Sequence, residues 1–560
     1  MATRSIWKIE KTEAASGGGM VTAEHPLAAD AGARILAAGG NAVDAAGAAA
    51  FAMGVVEPTT SGLAGVAWCV IRQPDGTVTT IDGAGAAPLR ATPDMYELLS
   101  TGASGMYGWP ATKDNAQNVG YRSVGVPGAV GTLCHALERY GTRDRAAVLS
   151  DAIRLAADGF DVDWTFTLAV ATYYDRLAPI AASRRLYFHP SGAPLHAATG
   201  LEPGDRFVQP DLAESLRAIA AAGPDALYRG ELGRAIARDV QAHGGLLSEE
   251  DLAAFAVREG PPLVAGYRGH LLHTIAGASG AITLVEALRI LEGFALAAAP
   301  PLAAPSLHLL AEAQRRAFAD RFAHLGDPAV VGTEVYERLL SDGHIAAARA
   351  SIDPARATPE AGATGMPPSS DCTTHVNAVD GDGRMVALTT TNGGAYGSGV
   401  VAAGTGIMLS NVMTWFDPRP GRPNSVAGGK RILSAIAPVV ITRDDRPVLC
   451  AGAPGGRRIM SAMLHVVTNV IDWGLGPQDA VNRPRTHCES TETLVDSRIP
   501  VETRTALAAM GHRLAVREET FASTHFARPS AIRVNGPERR AGVGALKIST
   551  AIGVDGPGPR

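Results

Sequence analysis

The sequence predicts a mixed α/β fold, for three reasons. Alanine-rich helices with capping residues lie near the start, strands are paired across turn residues, and a helical middle precedes a strand-rich C-terminal part. Residues 30–38 form the first predicted helix, which Gly39 and Gly40 would stop. A second helix would begin after Asn41, a good N-cap residue, and end before Pro58.

Two strands are predicted next, because the turn Pro74-Asp75-Gly76 separates two apolar runs, 66–72 and 78–82. The chain from 130 to 300 is expected to be mostly helical, since apolar residues recur there at spacings of three and four. Two segments show this spacing most clearly: 212–222 and 281–291.

Later elements follow from caps, breakers and composition. Ser306 is predicted to cap a long helix that runs to about residue 325 and ends before Pro328. Residues 355–370, rich in Ala, Gly, Pro and Ser, form a predicted linker. Further strands are predicted at 438–443 and 447–451. Helices at both ends of the chain would then surround a strand-rich centre.

Composition and charge exclude several classes of protein. The 560 residues carry a formal net charge of −5 with both signs spread along the chain, so neither a nucleic-acid stripe nor a polybasic membrane patch is predicted. The longest apolar stretch, 42–56, is too short to span a bilayer and contains Asp44. The N-terminal residues lack the apolar core of a signal peptide, so a cytoplasmic location is expected.

The cysteine pattern is equally simple. Five cysteines are scattered without Cys-x-x-Cys spacing, which indicates neither a disulfide framework nor a zinc site. No cofactor and no metal are predicted. His375 and the His487-Cys488 pair are interpreted as structural residues rather than metal ligands or a thiol–imidazole couple.

The most informative segment is 371–393, in which Thr373 opens a predicted β-hairpin. A strand at 376–379 leads into the turn Asp-Gly-Asp-Gly at 380–383, and a second strand follows at 385–391. A threonine at the first position of a chain has its own α-amine as a base, with an ordinary pKa of about 7.7 to 8.

That chemistry requires cleavage of the bond before the threonine. The Thr373 hydroxyl would attack the carbonyl of Cys372, move the acyl group from nitrogen to oxygen, and hydrolysis would free the new amine. A Thr-Thr pair alone is more often the start of an ordinary strand, so the hypothesis depends on the rest of the chain.

Short segments along nearly the whole chain support the hypothesis by their order and spacing. They include Gly39-Gly40-Asn41-Ala42-Val43-Asp44-Ala45-Ala46, Val124-Gly125-Val126-Pro127-Gly128, Glu312-Ala313-Gln314-Arg315-Arg316-Ala317-Phe318, Gly404-Thr405-Gly406 and Gly452-Ala453-Pro454-Gly455-Gly456. From about residue 18 to about residue 515, the chain resembles the gamma-glutamyltransferase (gamma-glutamyltranspeptidase) family of N-terminal-nucleophile hydrolases.

The resemblance implies a fold and a processing event. The fold would be the four-layer α/β/β/α sandwich of N-terminal-nucleophile hydrolases, built from two autocleaved subunits. The large subunit would be 1–372 and the small catalytic subunit 373–560. The resemblance is also compatible with a homodimer of the processed heterodimer.

It also implies four catalytic positions. Thr373 falls on the nucleophile, and Thr391 on a second threonine whose hydroxyl supports it. Gly455 and Gly456 fall on the pair whose backbone N–H groups stabilise the oxyanion, a task that glycine suits because it lets the backbone approach a ligand closely. A phosphate-binding loop is the alternative for this segment, but the Gly-Lys-Ser/Thr ending is absent.

The substrate-binding positions depart from the family pattern. The family reads the glutamyl α-carboxylate and α-amine with an arginine, an asparagine, an acidic residue and two serines. At these places the chain has Ala84, Gly393 beside Asn392, Trp415, Ser434 and Ala435. Hydrogen bonds to charged groups contribute about 1.5 to 3 kcal/mol each, so a free gamma-glutamyl group should bind badly.

Two interpretations of the pocket remain open. Asp94, Arg90, Asp417 or Arg419 could replace the lost contacts from nearby, although Arg90 and Asp94 lie on a segment that reads as a solvated turn leading into a helix. Alternatively, Trp415 forms an apolar wall suited to an amide whose acyl part is not an amino acid. The segment 416–429 also looks shorter than a family lid, which predicts a more open cleft.

Three functional hypotheses follow. The favoured one is a self-processing amide hydrolase or acylase acting on a small-molecule amide, with Thr373 as the nucleophile. The second is a true gamma-glutamyltransferase or glutathione hydrolase. The third is an unprocessed, catalytically silent binding protein, which would have no need of the nucleophile, its supporting threonine and the two glycines together.

Overall fold

A computed structural model describes residues 9–104, 107–358, 372–521 and 525–555. Its strands in chain order are β1 Ala14–Ser16, β2 Gly19–Ala23, β3 Val66–Arg72, β4 Val78–Gly83, β5 Leu98–Ser104, β6 Trp109–Thr112, β7 Phe160–Asp161, β8 Arg206–Phe207, β9 Arg258–Gly260, β10 Leu263–Tyr267, β11 His270–Thr274, β12 Thr374–Val379, β13 Met385–Thr391, β14 Val439–Arg443, β15 Arg446–Gly452, β16 Thr486–His487, β17 Glu492–Asp496, β18 Arg513–Arg517, β19 Ser530–Asn535, β20 Glu538–Gly542 and β21 Thr550–Val554.

The α-helices in chain order are α1 Pro26–Ala37, α2 Ala42–Val56, α3 Ala129–Tyr140, α4 Arg145–Asp158, α5 Trp164–Thr172, α6 Tyr174–Leu177, α7 Ala181–Tyr187, α8 Pro210–Ala222, α9 Asp225–Tyr228, α10 Glu231–Ala242, α11 Glu249–Ala253, α12 Ala281–Leu291, α13 Ala304–His324, α14 Pro328–Val331, α15 Thr333–Leu339, α16 Asp342–Ala350, α17 Arg458–Ile471, α18 Pro477–Asn482 and α19 Val501–Ala509. Within the described ranges, no helix is both long and apolar enough to cross a membrane.

Two seven-stranded antiparallel sheets form the centre of the molecule. One has the order β1-β20-β19-β15-β14-β11-β10 and the other β21-β2-β12-β13-β3-β4-β9. The sheets face each other, because β15 packs against β12 and β13, and β20 packs against β2. Helices α1, α2 and α3 cover the outer face of the second sheet, while α12, α17 and α18 cover the first. The predicted four-layer α/β/β/α sandwich is confirmed.

Strand β3 shows why these strands are apolar on both faces. Val66, Trp68 and Val70 lie in the core between the sheets, whereas Cys69 and Ile71 pack into the core beneath the helices. Successive side chains on a strand point to opposite faces, so a strand in the middle of four layers is buried on both sides.

The N-cap predicted at Asn41 is confirmed, whereas the first helix begins at Pro26 instead of residue 30. The Asn41 side chain accepts from the backbone of Val43 and Asp44, and the Asp44 carboxylate accepts from the Asn41 N–H, which completes a capping box. Asp44 is fully buried and also accepts from the Thr142 N–H and hydroxyl and from the Arg143 N–H. One carboxylate therefore joins the start of α2 to the α3–α4 turn.

We expect Asp44→Ala to lower the free energy of unfolding by about 2–3 kcal/mol, because it removes a cap and leaves buried donors unpaired. Urea unfolding would measure the change. Asp30→Ala is the matched control, since Asp30 forms an exposed i,i+4 pair with Arg34 and should cost less than about 0.5 kcal/mol. Equal losses in the two variants would contradict this account of Asp44.

Several local predictions are wrong for identifiable reasons. Ser306 does not cap α13: the helix begins at Ala304 with Pro305 in its first turn, and the Ser306 hydroxyl donates to the carbonyl of Ala299. The segment 130–300 is mostly helical as predicted, but the strands β9, β10 and β11 within it were not predicted. Strands, not helices, lie nearest both ends of the described chain.

One further prediction lies partly outside the described residues, and three others are confirmed. Of the predicted linker 355–370, only residues up to 358 lie within the described ranges. The helix over 281–291 is observed with the predicted bounds, and the second strand of the hairpin likewise. All five cysteines are buried and free, in agreement with the absence of a disulfide framework.

Candidate active site

The β12–β13 hairpin brings Thr373 and Thr391 together. Its register pairs Thr374 with Thr390 and His375 with Thr389, so the next pair along the ladder is Thr373 with Thr391. The turn between the strands contains Gly383 at φ +82°, a left-handed conformation that glycine adopts without steric cost. The hairpin predicted from the sequence therefore has the register that a two-threonine site requires.

Both threonine hydroxyls point at the carbonyl oxygen of Cys372. The Thr373 Oγ1 and the Thr391 Oγ1 each lie 2.5 Å from that oxygen, and 3.2 Å separates the two hydroxyls. The Gly393 N–H donates to the Thr391 Oγ1 at 3.0 Å, which fixes the second hydroxyl. In the continuous chain, Thr373 is only 2% exposed. The carbonyl before Thr373 is thus polarised by the side chain predicted to support the nucleophile.

Gly455 and Gly456 lie in the loop between β15 and α17. Their φ angles, +139° and +58°, are in the left-handed range, and a Cβ on Gly455 would lie 2.5 Å from the Ala527 Cβ. Both precede the first turn of α17, where backbone N–H groups and the helix dipole favour negative charge. Close packing and backbone conformation both require glycine at position 455.

His375 has a structural role, as predicted. Its ring contacts the Thr389 Oγ1 and the Asn377 Oδ1, each at 2.8 Å, and burial lowers its pKa to about 4. The Asn377 amide nitrogen donates elsewhere, so the Nε2–H of His375 donates to the Asn377 oxygen. A Cβ on Gly452 would meet this ring at 2.2 Å, which shows how closely the two sheets approach beside the threonines.

A cleft with a volume of about 620 Å³ lies next to these residues. Trp415 contributes to its wall, and a Cβ on Gly393 would lie 3.1 Å from the Trp415 ring. Arg457, which also lines the cleft, follows Gly456 directly in the chain. Trp415, beside Gly393, and Arg457, beside Gly456, therefore connect the cleft to the predicted catalytic group, whose four residues do not themselves line it. Its aromatic side chains are Tyr107, Trp109, Phe322 and Trp415.

A buried ion pair forms one side of the cleft. The Arg457 Nε donates to a Glu489 oxygen at 2.6 Å, and its Nη2 donates to the other oxygen at 3.1 Å. Burial opposes ionisation of Glu489, but Arg457 and the His487 ring hold its pKa well below the usual range. The Arg457 guanidinium also lies 4.9 Å from the Tyr107 ring centre and 5.0 Å from that of Phe322.

Arg321 and Arg419, two further cations of the cleft, have hydrogen-bond partners, whereas the guanidinium of Arg422, which also lines the cleft, has none among the described residues. Arg321 donates to the carbonyls of Ser279 and Ser434, and burial lowers its pKa to about 10. At the cleft mouth, Arg419 forms a bidentate pair with Asp417 at 2.7 and 2.9 Å. Arg90 and Asp94 are exposed and do not line the cleft, so their interpretation as solvated charges is confirmed, but no helix follows them.

The predicted substrate-binding residues are distributed unevenly around the cleft. Trp415 lines it, and Gly393 contacts the Trp415 ring. Ser434 is fully buried, and its hydroxyl makes no hydrogen bond within the described residues, while Ala435 packs against Phe318 and Met460. The Asn392 amide nitrogen donates to the Pro58 carbonyl, so this side chain points into the loop before Gly62.

The sequence predicted the pocket wall at Trp415, but it did not predict the Arg457–Glu489 pair or the other aromatic residues of the cleft, Tyr107, Trp109 and Phe322. Arg457 stands directly beside the predicted oxyanion glycines, and that position was an available signal. Glu489 is separated from it by 32 residues, so no local pattern could pair them. His487 was correctly interpreted as structural, because it contacts the Ser461 hydroxyl at 2.7 Å and lies 3.5 Å from Glu489.

Comparison with known proteins decides the family. A family model described as gamma-glutamyltranspeptidase matches residues 28–545. The chain belongs to the gamma-glutamyltranspeptidase family. It is 39% identical over 508 residues to the Acylase ACY 1 proenzyme of Pseudomonas sp. (strain SE83), with coverage of 90% of this chain and 88% of that protein.

Two further proteins are similar to this member of the gamma-glutamyltranspeptidase family. The glutathione hydrolase proenzyme of Escherichia coli (strain K12) is 35% identical over 516 residues, which cover 89% of this chain and 86% of that protein. The crystal structure of cephalosporin acylase from Bacillus halodurans superposes with a TM-score of 0.87 at 29% identity, covering 99% of each chain. The family includes both acylases and glutathione hydrolases, and two of these relatives are named as proenzymes.

Proposed function

We propose that this chain is a self-processing amide hydrolase that forms an acyl-enzyme on Thr373 and prefers an acyl group other than gamma-glutamyl. The observation that carries the proposal is the placement of the Thr373 and Thr391 hydroxyls on the Cys372 carbonyl oxygen. A nucleophile beside a polarised carbonyl is the arrangement that acyl transfer needs.

Cleavage of the precursor would proceed in three steps. The Thr373 hydroxyl adds to the Cys372 carbonyl carbon and loses its proton, while the carbonyl oxygen takes the negative charge beside the Thr391 hydroxyl. The bond between the Cys372 carbonyl carbon and the Thr373 nitrogen then breaks, and that nitrogen takes up the proton that the hydroxyl released, which gives the α-amine. Water finally hydrolyses the ester, which leaves a carboxylate on Cys372 and restores the Thr373 hydroxyl. The products are the chains 1–372 and 373–560.

The mature site would repeat the same chemistry on a substrate amide. The new α-amine of Thr373 accepts the hydroxyl proton, the oxygen attacks the amide carbonyl, and the N–H groups of Gly455 and Gly456 stabilise the oxyanion. The protonated amine then gives its proton to the departing nitrogen. Water attacks the resulting ester and releases the acid, and Thr391 keeps the nucleophile oriented throughout.

The cleft supports a substrate without a free amino-acid head group. Its interior cation, Arg457, is paired with Glu489, and Arg419 at the mouth is paired with Asp417. At these two positions, a zwitterionic head group would have to compete with an ion pair that is already formed. The aromatic side chains around the cleft instead suit an apolar or aromatic acyl group. A relative at 39% identity is named an acylase, and this name supports amide hydrolysis without specifying the acyl group.

Gamma-glutamyl transfer or glutathione hydrolysis is the second candidate. The similarity to the glutathione hydrolase proenzyme favours it, and the Asp417–Arg419 pair offers one carboxylate and one guanidinium at the cleft mouth. Opening of that pair on substrate binding would provide partners for an α-amine and an α-carboxylate. The two candidate functions require different side chains at position 415. An apolar wall suits other amides, whereas a gamma-glutamyl substrate needs a partner for its α-amine there.

We expect Trp415→Asp to raise kcat/KM for a gamma-glutamyl anilide relative to a simple acyl anilide by about tenfold or more. A carboxylate beside Gly393 could pair with the α-amine, and a charged hydrogen bond contributes about 1.5 to 3 kcal/mol. The ratio of the two substrates is measured on one enzyme preparation, which cancels differences in the amount of folded protein.

Trp415→Asn is the matched control, because it opens the same space without adding charge. The proposal expects little change in its substrate ratio. A fall in the ratio for Trp415→Asp, or an equal rise in both variants, would contradict the assignment of Trp415 as the residue that excludes the gamma-glutamyl group.

A further inference from the structure

Two histidines and an aspartate meet in the segment that joins α7 to β8. The Nε2 of His189 lies 2.9 Å from the Asp205 Oδ2, and the Nε2 of His196 lies 3.8 Å from the same oxygen. One ligand atom from each residue falls within 4.8 Å of the others. All three side chains are partly exposed, and the cluster lies outside the cleft described above.

The hydrogen bonds of His196 determine where its proton lies. Its Nδ1 is 3.0 Å from the carbonyl oxygen of Ala197, which can only accept, so this nitrogen carries the hydrogen. In its neutral form the ring presents a lone pair at Nε2 toward the Asp205 carboxylate, whose Oδ2 already accepts from the His189 ring and from the His196 backbone N–H. A cation between the His196 Nε2 and this oxygen would bind both. A histidine bound to metal usually donates its other N–H to a carbonyl or a carboxylate, as His196 does here.

The buried histidine cluster on α13 differs in this respect. The His308 Nε2 donates to the Asp353 carbonyl, so its Nδ1 accepts from the His512 Nε2 at 2.8 Å. The Thr493 hydroxyl lies 3.3 Å from the remaining nitrogen of His512, which closes the chain of donors and acceptors. Hydrogen bonds alone satisfy this cluster.

In the cluster on α12, α13 and α16, a hydrogen bond and a protonated carboxyl leave no need for a metal ion. His344 donates to Asp320 at 2.9 Å, and burial raises the pKa of Glu286 to about 8, so that carboxyl is neutral near pH 7. Of the three clusters found among the described residues, the one in the α7–β8 segment has a ring nitrogen, the His196 Nε2, that faces a carboxylate at 3.8 Å without a hydrogen bond to it.

We propose that His189, His196 and Asp205 form a binding site for a divalent first-row cation, with Zn²⁺ as the best fit. Ligands at about 2.0 to 2.2 Å from Zn²⁺ in tetrahedral geometry are separated by roughly 3.3 Å, between the two observed nitrogen–oxygen distances. On binding, the proton of His189 moves from Nε2 to Nδ1, so both rings coordinate in neutral form. Three protein ligands leave a fourth position for water.

A cation at this site would hold the segment after α7 in place, and α6 and α7 contact the loop that follows the threonine hairpin. The Arg176 Nη1 donates to the carbonyls of Ala395 and Gly397, and the Ser183 hydroxyl donates to the Gly399 carbonyl. These contacts hold the loop that follows Thr391. A cation joining 189 to 205 closes the chain just beyond α7, which reduces the freedom of the unfolded segment.

The test is calorimetric titration of chelator-treated full-length protein with ZnCl₂. The expected result is one Zn²⁺ per chain, with affinity reduced by about tenfold or more in His196→Asn and in His189→Asn. Zn²⁺ should also raise the melting temperature of the wild type by a few degrees and leave that of His196→Asn unchanged.

Two control variants separate this site from other histidines. His243→Asn removes an exposed histidine that lies 3.4 Å from Asp239 but has no second histidine, and His344→Gln alters the α12–α13–α16 cluster. Both should bind Zn²⁺ as the wild type does. No saturable binding by the wild type, or undiminished binding by both His189→Asn and His196→Asn, would overturn the proposal.

Discussion

Replacing Thr373 with alanine is expected to leave a single uncut chain and to abolish amide hydrolysis. The variant lacks the oxygen that would attack the Cys372 carbonyl, so neither the precursor cleavage nor the acyl-enzyme can form. Intact mass would show one species near 57.7 kDa, whereas the wild type would give two chains. N-terminal sequencing of the smaller wild-type chain should begin at Thr373.

Thr374→Ala is the matched control, because it removes the adjacent threonine hydroxyl from the same strand. It should still cut, and Thr373→Ser should cut as well, since serine retains a hydroxyl. Two subunits from Thr373→Ala would show that the nucleophile has been assigned wrongly. A single chain from the wild type itself would favour the silent binding protein over the hydrolase.

Arg457→Met is expected to lower the free energy of unfolding by about 3–5 kcal/mol, because it leaves the Glu489 carboxylate buried without its cation. The same change removes the guanidinium that stacks on Tyr107 and Phe322, so KM should rise for any substrate held in the cleft. Denaturant unfolding measures the first effect and steady-state kinetics the second.

The double variant Arg457→Met/Glu489→Gln should recover much of the lost stability, since no buried charge then lacks a partner. Arg419→Met is the control at the cleft mouth: its side chain is 43% exposed, and its loss should cost about 1 kcal/mol or less. A similar loss in Arg419→Met and Arg457→Met would show that burial of the pair does not determine its contribution.

Local signals in the sequence predicted the helices of the N-terminal layer and the hairpin well. The cap at Asn41 and the Asp-Gly turn before Met385 each act within a few residues, so pattern and structure agree there. Ser306 failed as a cap because Pro305 suits the first turn of a helix, and this moved the start of α13 to Ala304. Strands β10 and β11 were missed because their apolar residues can also be read at helical spacing.

The candidate site was predictable only in part. Thr373, Thr391 and the two glycines follow from motifs, and Trp415 follows from a departure at one motif position. The pairing of Arg457 with Glu489 depends on how α17 meets the strand before Cys488, which is a tertiary contact. The position of Ser434, behind the cleft and contacted by Arg321, is likewise set by packing.

The strand order of the two sheets determines how the cleaved protein would lose its folded structure. Each sheet contains strands from both sides of the Cys372–Thr373 bond. The two cleaved chains would therefore pair with each other at β1–β20, β11–β14, β2–β21, β2–β12 and β3–β13. A cut chain would stay assembled through these ladders, yet once unfolded it would have to find its partner by diffusion. Unfolding of the mature protein would then be irreversible in practice, so its lifetime would be determined by its rate of unfolding.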